Sequence, residues 1–92
     1  MTVRWTHTGL ADLDSVHSYI TLDNPGAASR MITSLLEAVD TLARHPGMGR
    51  RGRVSGTREF VVTPYVIAYR VGEEAIEIVA VIHSARRWPD RL

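Results

Sequence analysis

Apolar residues recur with a helical period along the first half of the chain. Leu10, Leu13, Val16 and Ile20 form one stripe, and the spacing predicts a helix through about residue 22, with Thr8 as its N-cap and Asp12 in the first turn. The run Asp23-Asn24-Pro25-Gly26 interrupts it. Asn24 as N-cap and Pro25 at the first helical position then restart a second helix. Its stripe is Ala28, Met31/Ile32, Leu35, Val39 and Leu42, and His45-Pro46-Gly47 stops it. So short a link folds the two helices back on each other as a hairpin.

From residue 46 the period changes. A loop from 46 to 56 carries four glycines and three arginines. Three stretches rich in Val, Ile, Tyr and Phe follow, at 57–62, 65–71 and 75–83, with turns at Thr63-Pro64 and Gly72-Glu73-Glu74. Such spacing predicts an antiparallel meander. In the last stretch, period-two alternation places Ile76, Ile78, Ala80 and Ile82 on one face and Glu77, Val79, Val81 and His83 on the other. Val3-Arg4-Trp5 adds a short opening strand. The order β-α-α-β-β-β describes one α+β domain spanning residues 1–92, a helical hairpin packed on a twisted antiparallel sheet.

Composition narrows the chemistry. With no Cys among 92 residues, thiolate nucleophiles, disulfides and cysteine-held metals are excluded, and a reducing, cytoplasmic location is expected. No apolar run approaches the ~20 residues of a membrane span, so no membrane partner is expected. The four histidines have no zinc-site spacing, and neither a metal nor another cofactor is expected. Gly47-Met48-Gly49-Arg50-Arg51-Gly52 matches the dinucleotide fingerprint in letters only. That fingerprint follows a strand and opens a helix, whereas here a helix precedes and a strand follows.

The net charge of +1 is uneven, −2 over residues 1–45 and +3 over residues 46–92, and every basic residue is Arg. Two clusters stand out: Arg50, Arg51 and Arg53 with Arg58 close by, and Arg86, Arg87 and Arg91 just after His83. The plainer reading is a solvated charged rim. The sharper one is a patch for phosphates or for an acidic protein segment. If the meander brings Arg58 beside His83, the patch has the parts for cleaving RNA. His83 would move a proton, while Arg58, Arg86 and Arg87 would stabilise charge at the scissile phosphate. Arg50, Arg51 and Arg53 would bind phosphates, and Tyr65 would stack on a base. Alternation puts Glu59 on the face opposite Arg58, which counts against Glu59 as the proton carrier.

The combination Trp5, Ala11-Asp12-Leu13, Tyr19-Ile20, Asn24-Pro25, Leu35, Leu42, Pro46 and Gly49-Arg50 resembles the helical half of RelE/ParE toxins. Gly56-Thr57-Arg58-Glu59, the run from Tyr65 to Val71, Ile76-Glu77-Ile78, His83 and Arg86-Arg87-Trp88-Pro89 resemble its sheet half. The resemblance implies the toxin of a type II toxin–antitoxin pair. Its cognate antitoxin would wrap the basic surface and alone carry the contact to promoter DNA. Two targets are implied. RelE-like members are metal-independent endoribonucleases that cut mRNA on the ribosome, whereas ParE-like members are non-enzymatic inhibitors of DNA gyrase. The resemblance places Arg58, His83 and Arg86 or Arg87 near functional positions of the nuclease branch. That branch's catalytic lysines have only arginines in their region here, and its C-terminal tyrosine is missing, with Trp88 nearest. The coexistence of His83, Arg58 and a basic loop tips the reading toward the nuclease; an inactive antitoxin-binding module is a third alternative.

Overall fold

The computed structural model describes residues 1–92. Strand β1 (Thr2–Trp5) leads into helix α1 (His7–Thr21) and helix α2 (Pro25–Arg44). A 3₁₀ turn (Pro46–Met48) precedes β2 (Arg50–Arg51), β3 (Arg58–Val62), β4 (Tyr65–Val71) and β5 (Ala75–His83). The sheet is five-stranded in the order β1-β5-β4-β3-β2. The expected meander of β3, β4 and β5 is present and antiparallel. Two strands extend it: β1 lies parallel to β5, and β2 pairs antiparallel with β3 inside what the glycines marked as loop.

Helix α2 starts where its sequence signals put it, with the Asn24 side chain accepting from Ala27 N at 3.0 Å and Pro25 in the first turn. Its stripe turns inward: Ala28, Leu35, Val39 and Leu42 are buried, and Met31 and Ile32 pack against the same core. Helix α1 begins two residues earlier than expected. Thr6, not Thr8, is the cap, its Oγ1 accepting from Gly9 N at 2.9 Å. A hydroxyl two residues upstream of Thr8 reaches an orphan amide of the first turn and also donates to the Ile78 carbonyl at 3.1 Å, which ties the helix start to β5. Gly9 is needed at this crossing, because a Cβ there would collide with the Ile78 carbonyl oxygen. Leu10, expected in the apolar stripe, is instead 52% exposed, while Val16 is buried and Leu13 and Ile20 are half-buried.

The alternation expected of β5 also breaks. Ala68 pairs with Ala80 but Tyr69 pairs with Ile78, so Val79 is an extra residue facing no partner on β4. Such a bulge reverses the in–out phase of the strand beyond it. Ile76, Ile78 and Val81 therefore join the core under the helices with Leu35, Leu42, Tyr65, Ile67 and Tyr69. Val79, Ala80 and Ile82 belong with Ala68 to a second cluster on the opposite face, against which Trp88 and Leu92 pack. The chain after β5 thus lies over the sheet face that the helices leave open.

Candidate functional site

The bulge decides which side chains meet. It turns Val81 and His83 to the helix side, where His83 stands opposite Tyr65 on β4. The two rings meet edge to face, 5.4 Å between centroids at 83°. His83 Nδ1 accepts from Ala85 N at 3.1 Å, and His83 O accepts from Arg86 N at 2.9 Å, so the chain turns tightly as it leaves the strand. Between this turn and α1 runs an open groove of about 530 Å³, lined among others by Asp12, Ser15, Tyr19, Tyr65, His83 and Arg86. Burial pushes the Tyr65 phenol above its usual 10.0, and the neighbouring Tyr19 adds to the shift, so the phenol stays protonated.

Asp12 and Tyr19 were not expected here. Asp12 lies beyond the first turn of α1, and its Oδ2 accepts from Val81 N at 3.0 Å, capping an amide on the stretch of β5 that β1 does not reach. Tyr19 is 71% exposed and offers an aromatic face at the groove's rim. An acid on a helix carries no sequence signal that it will cap a distant strand.

Arg58 is not beside His83. In a meander the first and third strands run the same way, so the start of one and the end of the other lie at opposite ends. The register agrees: Arg58 aligns through Tyr69 with Ile78, whereas His83 aligns through Tyr65 with Val62. Two strand spacings and four residues of rise put their Cα atoms roughly 16 Å apart. Arg58 instead donates to the Gly49 carbonyl at 2.6 Å and holds the loop that follows α2.

The loop arginines are also committed. Glu59 is on the face opposite Arg58, as alternation requires, and is only 2% exposed. Arg53 donates to it three times, from the backbone N at 2.8 Å, Nε at 3.1 Å and NH2 at 3.2 Å. Arg50 NH2 adds a fourth bond at 3.0 Å. Arg50 and Arg53 are therefore counter-ions of a buried carboxylate, although their side chains stay 57% and 46% exposed, while Arg51, Arg86 and Arg87 are exposed without such a partner. The signal was in the sequence: Glu59 is the only acid between Asp40 and Glu73, set among four arginines. No three His, Asp or Glu side chains converge as metal ligands, and no helix is long and apolar enough to cross a membrane.

Burial alone would raise the Glu59 pKa, but the hydrogen bonds from Arg53 and Arg50 outweigh it and hold the carboxyl below its ordinary 4.5. A carboxylate depressed in the folded state stabilises the fold above its unfolded pKa, and that contribution is lost as pH falls through the folded value. We therefore expect the thermal midpoint to fall more steeply below pH 4.5 in the wild type than in Glu59→Gln, which has no such proton to gain. Parallel pH profiles for the two proteins would refute this.

Two helices laid on one side of a five-stranded sheet, with a cationic segment over the other side, define a class of small bacterial toxins, and the comparisons agree. The family model described as the ParE toxin of the type II toxin–antitoxin system parDE matches residues 3–88. The chain belongs to this family, and is the toxin of a type II pair whose partner is a cognate antitoxin. Y4kP of Sinorhizobium fredii, named as a candidate toxin, is 42% identical over 92 residues, covering 98% of this chain and 95% of that protein. Toxin RelE2 of Caulobacter vibrioides is 42% identical over 84 residues, covering 91% of this chain and 96% of that one. Among solved structures, a chromosomal ParDE toxin–antitoxin system from P. aeruginosa superposes with a TM-score of 0.78 at 28% identity, covering 90% of this chain and 95% of that one.

Proposed function

We propose that this toxin arrests growth by holding a macromolecular target rather than by cutting RNA, and that the target is DNA gyrase, which ParE-like members of the superfamily poison. The observation that carries the reading is the dispersal of the nuclease residues. Cleavage by a 2′-hydroxyl needs a proton carrier and cations within hydrogen-bond reach of one phosphate. His83 aligns with the far end of β3 from Arg58, Arg58 is bound to a carbonyl, and Arg50 and Arg53 share the one carboxylate of Glu59. Inhibition by binding needs no such convergence, only a surface; the groove beside α1 and the exposed Arg86 and Arg87 supply one.

A second reading has its own support. His83, Tyr65 and Arg86 do share one groove, and a relative carries the name RelE2. A nuclease confined to that groove would use His83 with Arg86, without Arg58 or Arg87.

Induction of the chain without antitoxin separates the readings. The expected result is growth arrest with intact mRNA 5′ ends and gyrase trapped on cleaved plasmid DNA, persisting in the double variant Arg58→Ala/His83→Ala. Cuts clustered in translated codons and lost in His83→Ala would establish the nuclease instead. Unhindered growth would reject both and leave an inert antitoxin-binding module.

A further inference from the structure

We propose that Glu59 is a positioning residue that latches the segment 84–92 onto the open face of the sheet, acting through Arg53 stacked on Trp88. The segment has no regular structure, and its anchors are few. Its first turn is held by Ser84 N donating to Pro64 O and Arg86 N donating to His83 O, both at 2.9 Å. Beyond Arg86 its polar side-chain tether is Arg70, whose NH2 donates to the Leu92 main-chain oxygen at 3.0 Å. Between these ends stands Trp88. Its indole packs on the cluster of Ala68, Val79, Ala80 and Ile82, and the Arg53 guanidinium carbon sits 3.8 Å from the ring centroid.

That stacking depends on Glu59. An arginine on a mobile loop loses side-chain entropy when it lies flat on an indole, and the attraction of a cation to an exposed ring is small. Here the loss is already met, because the two-pronged contact of Arg53 with the buried carboxylate fixes the guanidinium plane before Trp88 arrives. Arg50 touches the same carboxylate but not the indole, so it acts as an internal control. Through this relay β3 governs where the segment beyond Arg86 lies, while the turn at 83–86 keeps its own bonds. The latch holds whichever target the toxin engages, since it concerns the placement of the segment alone.

Hydrogen exchange of the purified full chain tests it, read on the Arg86 amide and on the Trp88 indole, whose Nε1 is buried without a partner. In Glu59→Gln and in Arg53→Ala, exchange of the indole should rise about tenfold or more, while the Arg86 amide, α1 and α2 keep their protection. Arg50→Ala should leave the indole protected as in the wild type. Unchanged indole exchange in Arg53→Ala, or an equal rise in Arg50→Ala, would overturn the proposal. If Glu59→Gln does not fold, the two arginine variants still decide it.

Discussion

Leu35→Ala should lower stability by about 3–4 kcal/mol and the thermal midpoint by roughly 15–25 °C. Leu35 is 0% exposed and sits in the core shared by α2, α1 and the sheet. Truncation removes buried methyl groups and leaves a void that the packed strands Tyr65–Val71 and Ala75–His83 cannot fill without shifting their ladder. Its sequence neighbour gives the contrast. Leu36 is 44% exposed, and Leu36→Ala should cost less than about 1 kcal/mol. Denaturant titration of the two variants makes the comparison, and equal losses would mean that α2 does not bury the face described here.

Tyr69→Phe should cost about 2–3 kcal/mol, although it removes a single oxygen. Tyr69 is wholly buried, and its hydroxyl has two jobs: it accepts from Gly49 N at 2.9 Å and donates to Pro46 O at 2.7 Å. Phenylalanine fills the same space but strands both main-chain groups, and an unpaired buried group costs its full desolvation. The loss should fall on the segment between α2 and β2, since these bonds, together with that of Arg58 to Gly49 O, pin it to the sheet. Amide exchange at Gly49 should therefore quicken more than at the core of β4. A variant as stable as the wild type, with Gly49 still protected, would show that water or a shifted backbone meets those bonds.

The helices were legible because each has a local cause. The Asn24-Pro25 start, the apolar stripe of α2 and the His45-Pro46-Gly47 stop all act within a few residues, and the same is true of the turns that separate 57–62, 65–71 and 75–83. The Thr8 cap missed by two residues because Thr6 and Thr8 are both competent caps, and only contact with the Ile78 carbonyl favours the first. The candidate site was legible in part. His83, Tyr65 and Arg86 do meet, but Arg58 does not join them, and Glu59 turned from a doubtful proton carrier into the counter-ion of Arg50 and Arg53.

What the sequence by itself determined is the α+β class, the helical hairpin, the three-stranded meander and the cationic second half. All of these rest on periodicity, turn residues and charge, which act over short stretches of chain. Only the tertiary structure decided the parallel pairing of β1 with β5, the strand hidden at Arg50–Arg51, the bulge at Val79 and the partners of each arginine. The physical reason is range. Strand pairing and ion pairing join residues whose separation along the chain leaves no local trace, and one extra residue in β5 exchanges the faces of every side chain after it.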